Sequence, residues 1–322
     1  MLQVADLVVE FDAGGGREAP VRAVDGISFH VDRGETLGLV GESGCGKSAA
    51  ALSIVGLVPP PGRVAGGSIL FEARDLLDCG ERELQKVRGA RIGFVFQEPM
   101  AALNPSFTIG DQIAEALAQH GVARGAQARQ RVVDLLAAVR IPAPERCARS
   151  YAHHLSGGMR QRAVIAAAIA CQPSLLVADE PTTALDMTTQ AEVLDLLGDM
   201  RQDLGLALLL ITHDLGIVAG LADRVAVMYA GQIVEVGPTR DVLRSPAHPY
   251  TRGLLASLPG ARPGTRLEAI PGVVPSPGSR PPGCTFASRC TERIDGCDVA
   301  RPGLRSAGAG HLGRCLLLRE EP

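Results

Sequence analysis

Gly41-Glu42-Ser43-Gly44-Cys45-Gly46-Lys47-Ser48 follows the apolar run Thr36-Leu37-Gly38-Leu39-Val40 without a break and leads directly into an apolar helical stretch from Ala49 to Val55. This is G-x-x-x-x-G-K-S/T in the strand–turn–helix setting the pattern requires, and it commits the chain to a loop that wraps phosphate. The glycines let backbone N–H groups converge on phosphate oxygens, and the helix that follows adds the positive end of its dipole. Lys47 can reach the β- and γ-phosphates, and the Ser48 hydroxyl can bind Mg²⁺. Cys45 occupies a variable position and reads as a small filler. The rival reading is a chance match in a chain with 38 glycines. Against it, Lys47 and Lys86 are the only lysines among 32 basic residues, and one of them falls where the pattern demands it.

The rest of the chain suits such a loop. Ile92-Gly93-Phe94-Val95-Phe96, Leu175-Leu176-Val177-Ala178, Leu208-Leu209-Leu210-Ile211 and Val225-Ala226-Val227-Met228 are further buried-strand candidates, several separated by helix-length segments. Near-continuous apolar strands of this kind predict an α/β fold with a mostly parallel sheet. A helical insertion subdomain is expected at about residues 98–170, on the spacing of Ile113, Ala116 and Leu117 and of Val132, Leu135, Leu136 and Val139. Apolar residues at 46% and charged residues at 21% exclude wholesale disorder. A net charge of -3 with 3% aromatics gives no case for nucleic acid. The longest uncharged apolar stretch is broken by Gln172, Pro173 and Ser174, so no spanning helix is expected. The N-terminus carries Asp6, Glu10 and Asp12 rather than a basic segment before an apolar one, so a secretory leader is not expected and the chain should stay in the cytosol.

Leu175-Leu176-Val177-Ala178-Asp179-Glu180 is the expected partner of the phosphate loop, an apolar strand ending in two carboxylates. Asp179 would hold Mg²⁺ and Glu180 would activate the attacking water as general base. Leu155-Ser156-Gly157-Gly158-Met159-Arg160-Gln161 has no place in a generic phosphate-loop enzyme. Here the chain resembles the ATP-binding subunits of ABC transporters, whose signature reads LSGGQ; Met159 replaces the usual Gln. By that resemblance Gln97 is the Q-loop residue and, with Ser48 and Asp179, a third Mg²⁺-side ligand, and Ala184-Leu185-Asp186 is the D-loop. His213 is the switch histidine, and Phe11 is the aromatic that stacks on adenine. The family closes two such subunits head to tail, so that Ser156, Gly157 and Gly158 of each cover the other's γ-phosphate.

Phe96-Gln97-Glu98-Pro99-Met100-Ala101-Ala102-Leu103-Asn104-Pro105 and Ser245-Pro246-Ala247-His248-Pro249-Tyr250-Thr251 resemble the dipeptide/oligopeptide importer subgroup, which also contains nickel importers. The resemblance implies ATP and Mg²⁺ as cofactors and ATP hydrolysis coupled to uptake. It also implies a second, heteromeric ATPase subunit, two permease subunits, an external substrate-binding protein and a place on the cytoplasmic face of the membrane. A non-transport ABC ATPase is the competing class; such proteins carry a coiled-coil insertion or tandem cassettes, and neither is present.

The nucleotide-binding domain is expected to cover residues 1–258. Residues 259–283, in which 12 of 25 are Pro or Gly, read as a semi-rigid linker, and residues 284–322 as a small Cys-rich region. Its spacing, C-x5-C-x6-C-x17-C over Cys284, Cys290, Cys297 and Cys315, lacks the close pairs of a zinc ribbon. Wide, irregular gaps suit a 4Fe–4S cluster better, a group that the resemblance associates with some members of the subgroup. Zn²⁺, with His311 as a substitute ligand, and four unligated thiols are the alternatives.

Overall fold

The computed structural model describes residues 1–12, 19–258 and 269–318. Its strands, in chain order, are β1 (Leu2–Phe11), β2 (Val21–Val31), β3 (Thr36–Val40), β4 (Gly62–Phe71), β5 (Arg74–Asp75), β6 (Ile92–Val95), β7 (Leu175–Asp179), β8 (Ala207–Thr212), β9 (Arg224–Tyr229), β10 (Gln232–Pro238), β11 (Arg305–Gly308) and β12 (His311–Gly313). The chain divides into two compact units. One comprises Met1–Val31, Thr36–Leu77 and Ile211–Pro322, and the other Asp32–Glu35 and Asp78–Leu210.

In the first unit β1 lies between β2 and β4, antiparallel to both, with β5 at the edge. Leu2, Val4 and Val9 of β1 are buried, while the alternate positions Gln3 and Ala5 are not, the alternation of a sheet with one covered face. β3 is buried throughout. It pairs in parallel with β9, Leu37 opposite Arg224 and Val40 opposite Val227. β9 turns into the antiparallel β10 through Ala230 and Gly231, both at positive φ (46° and 82°), the tight hairpin turn whose twist matches its strands. β12 and then β11 extend the edge beyond β10. β1, β2, β4 and β5 form an antiparallel sheet of their own, while the sheet that holds β3 joins the parallel pair β3–β9 to the antiparallel pairs β9–β10, β10–β12 and β11–β12, so it is mixed rather than mostly parallel. A helical crossover is needed only where parallel strands are joined, and the short link between β9 and β10 lets neighbouring strands reverse direction.

The C-terminal region shares this unit's core. Phe286 packs with Tyr229, Tyr250, Val227 and Val242, and Cys284 and Cys290 lie against the same cluster. The ring centroids of Tyr229 and Tyr250 are 4.6 Å apart, and Phe286 meets Tyr229 edge-on at 5.2 Å. Beneath them Glu235 is fully buried. It accepts hydrogen bonds from the backbone N–H groups of Ala247 (2.7 Å) and His248 (2.9 Å), and His311 Nε2 lies 2.7 Å from its carboxylate. Burial drives the pKa of His248 down to about 3, so its ring is neutral and its Nδ1 accepts from the Tyr250 N–H. Breaking one side of a buried polar pair leaves its partner to bear the desolvation cost. His311→Ala is therefore expected to lower stability by about 1–3 kcal/mol, read as a lower urea midpoint with an unchanged slope. The linker residues 259–268 lie outside the described residues.

In the second unit β6 and β7 pair in parallel, Ile92 opposite Leu175 and Val95 opposite Ala178. Between them in the chain come the helices Pro99–Ala102, Ile109–Gln119, Gly125–Ala138, Pro144–Ala148 and Gly157–Ile169. Thr108 caps Ile109–Gln119 by accepting from the Asp111 N–H at 3.1 Å, and Ile109, Ile113 and Leu117 form its buried stripe. The long helix Met187–Leu204 ends at Gly205 in the left-handed region (φ 60°), the usual helix stop.

Candidate nucleotide site

The phosphate loop belongs to the first unit, and its glycines meet distinct demands. A Cβ on Gly41 would stand 2.1 Å from the Met228 carbonyl oxygen. Gly44 and Gly46 have φ of 78° and 106°, and a Cβ on Gly46 would also meet the Ala23 carbonyl oxygen at 2.5 Å. Gly46 caps the helix Lys47–Ile54, whose first N–H groups thereby face the loop. The loop is tied down from outside by the Gly231 N–H, which donates to the Cys45 carbonyl at 2.9 Å. Lys47 is 4% exposed, and its Nζ donates to the carbonyls of Gly41 (2.7 Å) and Glu42 (3.1 Å), so the ammonium is held at the loop's own curve. Cys45 is buried against Gly41, its thiol pushed up by burial. This places it as packing. Ser43 is exposed and Ser48 half-buried at the helix start.

Phe11 ends β1, opposite Val21 and Gly62. A Cβ on Gly62 would come within 2.5 Å of its ring, so the aromatic packs closely against a glycine. His213 follows β8 and is exposed. The next residue, Asp214, caps Leu215–Leu221 by accepting from the Gly216 N–H at 2.7 Å.

The second unit carries the carboxylates and the signature. Asp179 is buried at the end of β7, and Glu180 follows it at φ 47°. The register of β6 and β7 brings the residues just beyond each strand together. Gln97 Nε2 donates to Glu180 Oε2 at 3.3 Å, and the Thr183 hydroxyl donates to the same oxygen at 2.9 Å. Thr183 had no sequence signal beyond lying in the turn after the strand. Ser156 caps Gly157–Ile169 by accepting from the Met159 N–H at 3.3 Å. Gly158 is required by close packing, since a Cβ there would meet Thr189 Cγ2 at 2.4 Å, whereas one on Gly157 would reach Leu185 at an ordinary 3.6 Å. Asp186 caps Met187–Leu204, accepting from the Thr189 N–H (3.0 Å) and hydroxyl (2.7 Å). Those hydrogen bonds hold its carboxyl below the usual range.

Two residues that the sequence did not place at the site touch the phosphate loop, Arg289 and Tyr250 of the stretch 245–251. Arg289 donates to both oxygens of the Glu42 carboxylate, at 2.9 and 3.2 Å, and the Tyr250 hydroxyl accepts from the Glu42 N–H at 3.0 Å.

Among the described residues none of the eight cysteines is in a disulfide. Cys284 is pushed up by burial and additionally by the proximity of Cys297, Cys315 and Cys290, and the Cys284 N–H donates to the Cys297 carbonyl at 2.7 Å. The four thiols therefore share one neighbourhood. Among the described residues, however, no group of three or more His, Cys, Asp or Glu stands close enough to hold a metal ion. That arrangement supports neither the 4Fe–4S cluster nor the zinc site expected from the sequence, and the substitute ligand His311 faces Glu235 instead.

The family described as "ABC transporter" matches residues 24–183, and that described as "Oligopeptide/dipeptide transporter, C-terminal region" matches residues 234–297. A probable peptide ABC transporter ATP-binding protein of Sinorhizobium fredii is 49% identical over 98% of this chain and 94% of its own length. The chain belongs to the ATP-binding proteins of the oligopeptide/dipeptide ABC transporter family. The dipeptide transport ATP-binding protein DppD of Escherichia coli is 46% identical, covering 98% of this chain and 96% of that protein. An oligopeptide transport ATP-binding protein of Bacillus subtilis, AppD, is 49% identical over 95% and 94% respectively. Among solved structures, a dimeric ATP-binding cassette in a post-hydrolysis state bound to ADP and Pi is similar. Its TM-score is 0.65 at 28% identity, over 74% of this chain and 99% of that one. The matched regions include the phosphate loop, the Glu180 strand and three of the four C-terminal cysteines. Among the described residues no helix is long and apolar enough to cross a membrane.

Proposed function

We propose that this ABC ATP-binding protein hydrolyses ATP to drive uptake of di- or oligopeptides from the cytoplasmic face of the membrane. The observation that carries the chemistry is Glu180, a carboxylate ending a buried strand and held through one oxygen by Gln97 and Thr183. The relatives named for peptide, dipeptide and oligopeptide transport support the cargo class. In this reading the loop amides and Lys47 bind the β- and γ-phosphates. Glu180 takes a proton from water as its oxygen attacks the γ-phosphorus, and the bond to the bridging oxygen breaks to leave ADP and phosphate. By the resemblance Ser48 in the first unit, and Gln97 and Asp179 in the second, are the Mg²⁺-side residues; each offers an oxygen donor of the kind that ion takes, and the ion would offset phosphate charge when bound. Ser156 and the Gly157 and Gly158 amides, at a capped helix start, are suited to close on a γ-phosphate held by a second ATPase subunit. Peptide-stimulated ATP hydrolysis and uptake in vesicles carrying the assembled transporter test the proposal. Stimulation by Ni²⁺ alone would replace the cargo.

The partners follow from the same reading: a second, heteromeric ATPase, two permeases and an external binding protein. Met100 and Phe107 are exposed, 49% and 53%, around the buried Leu103, an apolar face just beyond Gln97. A cross-linker at Phe107 is expected to capture a membrane subunit in the assembled complex; capture of soluble proteins alone would defeat the transport reading.

For the C-terminal cysteines, a 4Fe–4S cluster is retained as part of this proposal. The support is that Cys284 and Cys290 pack against one core cluster and that the Cys284 N–H donates to the Cys297 carbonyl at 2.7 Å, together with the wide spacing of the four cysteines. Anaerobically purified protein is expected to be brown, with about four irons per chain, and to be bleached by Cys→Ser changes at these positions but not at Cys79 or Cys147. Iron-free protein under those conditions would return the four thiols to plain packing.

A further inference from the structure

The phosphate loop contains a carboxylate, Glu42, and a loop built to receive a polyanion is a poor place for one. Its negative charge opposes the very ligand that the backbone amides and Lys47 attract. The compensation comes from the far end of the chain. Arg289 closes the short 3-10 turn Ala287–Arg289 between Cys284 and Cys290. It donates two parallel hydrogen bonds to Glu42, at 2.9 and 3.2 Å. The Arg289 side chain is 5% exposed and that of Glu42 26%, so solvent screens this pair far less than a surface one. The guanidinium is itself positioned on every side. Its Nε donates to the Pro271 carbonyl at 2.8 Å, and its Cζ stands 5.7 Å from the Tyr229 ring centroid and 6.0 Å from that of Phe286. A fork fixed in this way suits bidentate capture of a carboxylate. The Tyr250 hydroxyl takes the Glu42 N–H from the other side.

We propose that Arg289 is a positioning residue for nucleotide binding, neutralising Glu42 so that the cysteine-rich tail becomes part of the phosphate site. The inference rests on the nucleotide reading above. It makes the turn between Cys284 and Cys290 the element through which the tail sets affinity for the triphosphate.

The test uses the full chain, with MgATP and separately AMP titrated by calorimetry. Arg289→Gln is expected to weaken MgATP binding about 10-fold, equivalent to about 1.4 kcal/mol, and AMP binding less than about 2-fold, because the exposed carboxylate repels the longer polyanion. In the Glu42→Gln background the same Arg289 change is expected to cost MgATP less than about 2-fold, since no carboxylate remains to be neutralised. An equal loss in both backgrounds, or for both nucleotides, would show that Arg289 only props up the tail and would overturn the proposal. No loss in either background would do the same. If Arg289→Gln does not fold, Arg289→Lys, which keeps the charge but not the fork, is expected to cost about 3-fold, again only with Glu42 present; a loss independent of residue 42 overturns the proposal here too. Lys47→Ala separates the two readings. If that variant binds MgATP normally, the phosphate-loop assignment fails, whatever Arg289 does.

Discussion

Glu180→Gln is expected to keep nucleotide binding and lose turnover by about 10²-fold or more, the range for a missing general base. The substitution is nearly isosteric, and both groups that hold Glu180 tolerate it. The Thr183 hydroxyl can donate or accept, and the Gln97 amide can present its oxygen instead of its NH₂. The side chain therefore stays where Gln97 and Thr183 place it, 3.3 and 2.9 Å from Oε2 in the parent, and only its capacity to take a proton is lost. Thr183→Val separates placement from chemistry. It removes one of the two hydrogen bonds to Oε2 and leaves the base intact, so a loss well short of that from Glu180→Gln is expected. Both rates are to be measured in the assembled complex with saturating MgATP. Near-parental hydrolysis by Glu180→Gln would remove this residue from the reaction.

The reason Gln97 and Glu180 meet was legible in advance. Both follow apolar runs that read as strands, and parallel strands side by side deliver their C-terminal ends to one edge, where ligands of α/β sheets bind. The phosphate loop was legible for a different reason: its glycines and lysine stand in one short contiguous pattern, even though Gly41 and Gly46 also answer to the distant carbonyls of Met228 and Ala23. The contacts that went unread are those joining remote segments. Glu42 and Arg289 are 247 residues apart, and nothing in a run of turns between two cysteines announces that one arginine will fold under two aromatic rings. His311 shows the converse. A histidine among cysteines suggests a metal ligand by type and spacing, but the buried Glu235 of β10, 76 residues earlier, takes its Nε2. The antiparallel partners of β1 were hidden as well. Val21–Val31 and Gly62–Phe71 lack the continuous apolar runs of β3 and β7, being covered on one face only.

Gly41→Ala is expected to abolish measurable nucleotide binding, more than about 100-fold, whereas Gly44→Ala costs about 5- to 30-fold, the equivalent of the roughly 1–2 kcal/mol that an L-residue loses at positive φ. The two glycines are three residues apart in one loop but answer to different forces. Gly44 is strained only by its φ of 78°, and a Cβ there meets nothing within 4 Å. A Cβ at Gly41 meets the Met228 carbonyl oxygen at 2.1 Å and the Cys45 sulfur at 2.8 Å. The sulfur could turn away, but the carbonyl cannot. Met228 sits in β9, paired with Ile233 of β10 on one side, while its neighbour Val227 pairs with Val40 of β3 on the other. Moving that backbone would break ladders on both sides, so the loop must shift instead, away from the Lys47 ammonium that the Gly41 carbonyl anchors at 2.7 Å. Circular dichroism separates this local effect from global unfolding, because the helix and sheet content of both variants should match the parent. If Gly41→Ala binds MgATP no more weakly than Gly44→Ala, the loop does not owe its shape to this packing against β9.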